Sequence, residues 1–298
     1  MIVIKDLSFR YAGAERNALS GVNLEIPDGD FLGIIGSSGA GKSTLTYALN
    51  GVVPHHYPGD FYGSALVNGL DTVDAGTENL SRQVGSVFQD IDGQMVASVV
   101  EDEILFGLEN FAVDHAEIEG RLTGALAAAG IPELRRRAIS TLSGGQKQKV
   151  AIAAITALRP RIIVLDEPTG ELDPRSSRKI FEYLKELNQE HGVTIVVVEQ
   201  KIMLLCEFAK RLAVMEGGAL VRQGTVSEVL QRPDILESAG VNIPRVTTLG
   251  EKLREKGLYT GDLPHDLAQA RLMMKALLTR EAAYPPDTIP KEAGRVAL

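Results

Sequence analysis

Apolar and polar positions alternate through residues 1–30: Ile2, Ile4, Leu7 and Phe9, then Leu19, Val22, Leu24 and Ile26. Turns at Gly13 and Pro27-Asp28-Gly29 interrupt the alternation. A period of two between turns predicts antiparallel strands with one buried face. Ser64 to Val67 and Val84 to Phe88 read as further short strands. Arg161 to Leu165 and Val193 to Val198 are continuous apolar runs, as expected of strands covered on both faces of a parallel sheet. The period turns helical over Val99 to Asn110, Glu117 to Gly130, Gln146 to Ala157 and Ser176 to His191. Strands alternating with helices predict an α/β sheet protein.

The texture changes after about residue 235. Asn242-Ile243-Pro244 marks a break, followed by two predicted helices, Thr248 to Lys256 and Pro264 to Ala283. The Pro-containing stretch from Tyr284 to Leu298 predicts a disordered tail from about residue 285. The expected division is therefore a main domain over 1–235 and a small helical C-terminal domain over 236–298.

Composition narrows the partners. The 298 residues are 44% hydrophobic and 23% charged, ordinary for a globular protein. A net charge of −8 argues against nucleic acid as the main partner. The single cysteine, Cys206, permits no internal disulfide and is expected to be buried. No apolar run approaches the roughly 20 residues that span a bilayer, and the strand-like Met1-Ile2-Val3-Ile4 leaves no expected signal peptide.

The candidate chemistry begins at Gly36-Ser37-Ser38-Gly39-Ala40-Gly41-Lys42-Ser43-Thr44, between the apolar run Phe31-Leu32-Gly33-Ile34-Ile35 and a predicted helix over Thr44 to Asn50. This is the phosphate-loop pattern in its strand–loop–helix setting. Glycines let successive N–H groups wrap an anion, and the helix N-terminus adds positive field. Lys42 is placed for the β- and γ-phosphates and the Ser43 hydroxyl for Mg²⁺. Downstream, Ile162 to Leu165 ends in Asp166-Glu167. A carboxylate pair at a strand end suits a Mg²⁺ shell (Asp166) and a base for an attacking water (Glu167). Between the two motifs lies Leu142-Ser143-Gly144-Gly145-Gln146, with Ser143 placed to cap the helix that follows.

With these elements in this order, the chain resembles the ATP-binding cassette (ABC) family over residues 1 to about 235. The resemblance implies a P-loop NTPase fold with a mixed sheet core, an antiparallel β subdomain and a helical subdomain over about 90–157. It implies ATP and Mg²⁺ as ligands. Tyr11 matches the aromatic that stacks on adenine, with an edge-strand or core tyrosine as the alternative. Gln89 matches the glutamine that touches Mg²⁺ and the attacking water. Gly170-Glu171-Leu172-Asp173 matches the loop that crosses to a second ATPase subunit. The resemblance further implies a head-to-tail dimer in which Ser143, Gly144, Gly145 and Gln146 of one copy close the phosphate loop of the other.

One position departs from the family. Where it places a histidine that contacts the γ-phosphate, Val198-Glu199-Gln200-Lys201 puts Gln200. Glutamine can donate a hydrogen bond but cannot carry imidazolium charge, which predicts slowed hydrolysis with binding kept. A naturally degenerate subunit and an engineered His-to-Gln change both account for it. Because Glu167 is present, complete inactivity is not expected.

Asp90-Ile91-Asp92-Gly93-Gln94, Val100 to Asn110, Pro54-His55-His56-Tyr57 and Leu249-Gly250-Glu251-Lys252-Leu253 resemble ATPases of energy-coupling factor transporters. That resemblance implies import of a vitamin or transition-metal ion, with a transmembrane coupling subunit and a substrate-binding membrane subunit as partners, at the cytoplasmic face of the membrane. The adjacent His55 and His56 lack a third ligand and read as structural. The acids Asp90, Asp92, Glu101, Asp102 and Glu103 read either as solvated loop and helix-start acids or as a docking groove for arginines of the membrane subunit. Non-transport cassette proteins of DNA repair carry a long insertion that this chain lacks, and ribosome-associated ones usually carry two cassettes.

Overall fold

In the computed structural model, residues 1–281 are described; the predicted tail and the last residues of the second C-terminal helix lie outside them. The strands in chain order are β1 (Ile2–Tyr11), β2 (Leu19–Ile26), β3 (Phe31–Ile35), β4 (Gly59–Val67), β5 (Leu70–Asp71), β6 (Val84–Val87), β7 (Ile162–Asp166), β8 (Thr194–Val198), β9 (Arg211–Glu216) and β10 (Ala219–Thr225).

The alternating N-terminal pattern builds a four-stranded antiparallel sheet of order β2-β1-β4-β5. Ile2 pairs with Ile26 and Ile4 with Leu24, so the apolar positions of both strands fall on one buried face. β4 begins five residues before the expected Ser64, because its polar N-terminal half pairs with β1 as far as Tyr11–Gly59.

The continuous apolar runs build a second sheet of order β10-β9-β3-β8-β7-β6. Its inner pairs β3–β9, β3–β8, β8–β7 and β7–β6 are parallel, and β10 returns antiparallel to β9. The five residues of each of β3, β7 and β8 are all buried, as helices on both faces require. This order aligns the carboxyl ends of β3, β8, β7 and β6 side by side, the edge where open parallel sheets bind ligands.

Helices Val100–Asn110, His115–Ala128 and Gly144–Ala157 pack on one another through Val100, Ile104, Leu108, Leu122, Leu126, Val150 and Ala153. They form an apolar core separate from the one beneath the antiparallel sheet.

The chain divides into two compact units, Met1–Asn242 and Ile243–Leu298, rather than at the expected residue 235. The difference has a physical cause. Helix Pro233–Ser238 buries Leu236 completely, and the Ala239 carbonyl accepts the Ser37 N–H at 2.9 Å. The segment after 235 thus belongs to the phosphate-loop unit. In the second unit, helices Arg245–Glu255 and Leu267–Glu281 are joined by a segment whose Pro264 carbonyl accepts the buried Thr247 hydroxyl at 2.6 Å. Among the described residues no helix is long and apolar enough to cross a membrane.

Candidate functional site

The loop between β3 and helix Lys42–Leu49 is shaped by contacts that exclude side chains. Gly36 has φ +153°, and a Cβ there would lie 2.2 Å from the Met215 carbonyl oxygen at the end of β9. Gly41 has φ +94°, and its Cβ would meet the Ala18 carbonyl at 2.5 Å. Backbone from two sheets therefore presses the loop into shape, and glycine is required at both points. The Lys42 ammonium, largely buried, donates to the carbonyls of Gly36 at 2.9 Å and Ser37 at 2.8 Å. Ser38, Gly39, Ala40, Ser43 and Thr44 complete the turn into the helix, and Leu45 N–H closes its first bond on Gly41.

Asp166 ends β7 at the same edge. It is 2% exposed, and neither carboxylate oxygen has a hydrogen bond of good geometry. Burial first, and then the charge of Glu167, push its pKa up, while the Ser43 hydroxyl and the Lys42 ammonium act in the opposite direction. A buried carboxylate with unsatisfied oxygens next to a serine hydroxyl is a hard-oxygen donor set, the type that suits Mg²⁺. The residues present fit the metal that the sequence implied.

Glu167 is held by three glutamines. Gln200 Nε2 donates to one carboxylate oxygen at 2.7 Å, and Gln89 Nε2 to the other at 3.3 Å. Gln148 Nε2 donates to the Glu167 carbonyl at 2.9 Å. The residue sits at φ +52°, a conformation rare for a side-chain-bearing residue, and its N–H is fixed on the Val198 carbonyl. Strain held by surrounding bonds aims this carboxylate into the space between β6 and β8. Gln148 was not singled out in the sequence. Its signal was a glutamine at a buried position beside Val150, Ala151 and Ile152 in helix Gly144–Ala157. Gln94 was quoted only as part of a motif, yet it fastens the Gln89 segment, donating to Ser86 carbonyl and accepting from Phe88 N–H.

Ser143 caps helix Gly144–Ala157 in a reciprocal capping box with Gln146. Ser143 and Gly144 are exposed, so the helix N-terminus faces outward, away from bonds within the chain. A Cβ on Gly144 would lie 2.9 Å from the Glu171 carboxylate, and one on Gly145 would lie 3.0 Å from Leu172. The glycine-rich turn and the Gly170–Asp173 loop are thus one surface of the chain. Asp173 caps helix Pro174–His191.

Tyr11, at the end of β1, bonds Thr44 Oγ1 at 3.0 Å through its hydroxyl and packs edge-on to Phe9. The ring is half-buried beside the helix that follows the phosphate loop. It also packs edge-on to Tyr57, so the packing expected of an edge-strand tyrosine is present.

Four of the five acids in the cluster have partners within the chain. Asp92 pairs with Lys147 at 2.6 Å, and Glu101 pairs with Arg135 at 2.6 Å. Glu103 is 8% exposed and accepts the Val96 and Ala97 N–H groups at 2.9 and 2.7 Å. Asp90 caps Ile91–Gln94. These bonds hold the chain together, while Asp90, Asp92 and Asp102 stay exposed. His55 and His56 also take separate partners, the Thr72 carbonyl and the Tyr57 ring. Among the described residues no group of three His, Cys, Asp or Glu side chains is placed to hold a metal ion.

A phosphate loop, an Asp–Glu pair at a buried strand's end and a capped Ser-Gly-Gly turn on one α/β unit define an ATP-binding cassette. Residues 19–170 match the family model described as ABC transporter. The chain is 38% identical over 284 residues to the energy-coupling factor transporter ATP-binding protein EcfA1 of Clostridium perfringens, across 93% of this chain and 97% of that protein. The solved structure of CbiO1 from Clostridium perfringens, described as part of the ABC transporter complex CbiONQ, matches with TM-score 0.69 and 31% identity, over 84% of this chain and 98% of that one. The ATP-binding cassette MJ0796, in a dimeric post-hydrolysis state with ADP and Pi, matches with TM-score 0.67 and 29% identity, over 76% and 99%. The chain belongs to the ABC transporter family and is an ATPase of the energy-coupling factor type.

Proposed function

We propose that this chain binds Mg–ATP between two ATPase subunits and uses its hydrolysis to drive import of a vitamin or transition-metal ion. The observation that carries the reading is the convergence of Lys42, Gln89, Asp166, Glu167 and Gln200 on one sheet edge, with both Glu167 oxygens oriented by amides. The loop N–H groups and Lys42 bind the phosphates, and Tyr11 lies against the adenine. Ser43, Gln89 and Asp166 would hold the metal, whose positive charge would offset the negative charge on the phosphate oxygens. Glu167 accepts a proton from water as the water oxygen bonds the γ-phosphorus and the bond to ADP breaks. Ser143 to Gln146 of a second subunit bring a hydroxyl, backbone N–H groups and a helix N-terminus to the γ-phosphate. The second subunit is another copy or a sibling ATPase. A transmembrane coupling subunit and a substrate-binding membrane subunit complete the assembly, with this chain peripheral on the cytoplasmic face.

Gln200 supports a second reading, in which this subunit hydrolyses slowly beside an active sibling. Its amide already bonds Glu167 Oε1 and supplies a donor without a positive charge. ATPase measurement on the complex purified with its membrane partners tests both readings. Loss of turnover in Glu167→Gln supports hydrolysis at this site; turnover unaffected by that change assigns the chemistry to the sibling.

A further inference from the structure

The residues on either side of Gln200 are engaged in a buried network that reaches the Gly170–Asp173 loop. Glu199 is 2% exposed. One oxygen accepts the Gln200 and Lys201 N–H groups at 3.0 and 3.1 Å, and the other accepts the Thr169 hydroxyl at 2.6 Å. Thr169 is fully buried. The Lys201 ammonium donates to the Thr169 carbonyl at 2.6 Å, the Leu172 carbonyl at 3.2 Å and the Ser177 hydroxyl at 3.2 Å. Glu199 N–H is also fixed on Ile34, two residues before the phosphate loop.

These bonds run one way in space. Gln200 touches the reacting carboxylate; Glu199 and Lys201, its chain neighbours, grip the two ends of the Thr169–Leu172 turn. Six side-chain bonds to groups largely shielded from water make this connection stiff, because breaking them strands buried polar groups. A surface loop has no folding need for so many internal anchors. A buried carboxylate and a lysine with three acceptors are an expensive way to close one turn unless its position matters.

We infer that Glu199, Lys201 and Thr169 form a latch that transmits the position of Gln200 to the Gly170–Asp173 loop, and so to the second ATPase subunit. The inference rests on the proposed placement of Gln200 at the γ-phosphate. Glu199, Lys201 and Thr169 are positioning residues: none touches the reacting atoms. When the γ-phosphate leaves and Gln200 shifts, its two neighbours cannot stay in place without breaking their bonds to Thr169 and Leu172. The loop follows, and the partner site registers the change.

Amide hydrogen exchange on the full-length chain tests this, with and without a non-hydrolysable ATP analogue. Without nucleotide, Lys201→Met and Thr169→Val should each raise exchange across 169–177 by about fivefold or more, within the range of typical coupling, and leave β7 and β8 unchanged. Lys201→Arg should restore protection in part. With analogue, the wild type should change its exchange over 169–177 and the two disruptive variants should not, at equal analogue affinity. Unchanged exchange over 169–177 in both variants overturns the latch, as does a wild type that binds analogue without any response there. A wild type that fails to bind analogue counts against the nucleotide site, and the nucleotide-free exchange still decides the latch. Circular dichroism separates either result from misfolding, and agreement between the two variants excludes a lesion private to one.

Discussion

The side-chain amide of Gln200 lies 2.7 Å from Glu167 Oε1, so the group at the usual histidine position is bonded to the proposed base. A neutral amide there orients the carboxylate but adds no positive charge for the transition state. Gln200→His should therefore raise single-site turnover by about tenfold, less than the 10²–10³ that a wholly missing donor costs, because glutamine already provides one N–H. Single-turnover ATP hydrolysis by the assembled complex measures it, and an unchanged rate would refute the role given to Gln200.

Asp166 makes a prediction of opposite sign for stability and function. Its pKa is raised, chiefly by burial, so the folded state holds the proton more tightly than the unfolded state. Its contribution is then best at low pH and worsens as pH rises through the ordinary carboxylate range to the raised folded value. At neutral pH without metal, Asp166→Asn should stabilise the fold by about 1 kcal/mol, or about 2–4 °C in melting temperature. The same change should abolish the added stability that MgCl₂ with ATP gives the wild type. Melting scans with and without Mg–ATP check both halves.

Glu103 and Asp102 are adjacent acids with different work. Glu103→Ala removes the acceptor for two N–H groups of the Val96–Ala97 segment and should cost about 1–3 kcal/mol, seen in urea unfolding. Asp102 is exposed. Asp102→Lys should leave unfolding unchanged and weaken copurification with the membrane subunits. If both variants unfold like the wild type, the structural role of Glu103 is wrong.

Ser143 serves a cap and, in the proposed dimer, a phosphate; the two roles separate by substitution. Aspartate caps a helix as well as serine does, but it carries a negative charge to the γ-phosphate. Ser143→Asp should keep the melting temperature and lose ATP-driven pairing, whereas Ser143→Ala should lose about 1 kcal/mol of stability. Sedimentation of Glu167→Gln carrying each change, with ATP, reads the pairing.

Much of the site was legible because its chemistry is local. Gly36 to Thr44 is one loop, Asp166-Glu167 one strand end, and the Ser143–Gln146 box spans four residues, so sequence spacing alone determines their geometry. What was not legible depends on partners distant in the chain. Asp92 and Lys147 are 55 positions apart, and Glu101 and Arg135 are 34 apart. Asp92 and Glu101 therefore read as solvated or docking acids, although each has a basic partner within the chain. The boundary near 235 was misplaced for the same reason, since Ala239 is held by Ser37 across the whole domain. The strained backbone of Glu167 had no sequence signature at all, because glutamate does not announce a left-handed conformation.

The two carbonyl contacts of Lys42 change what nucleotide binding means for the loop. The ammonium has three N–H donors and spends two on Gly36 and Ser37, so it reaches phosphate with the third or by exchanging a carbonyl. Its gain is the anionic character of the new acceptors, which grows with each phosphate and shrinks with salt. Discrimination for triphosphate over monophosphate should then rest on charge rather than on contacts, and an uncharged nucleoside should leave this lysine folded onto its own backbone.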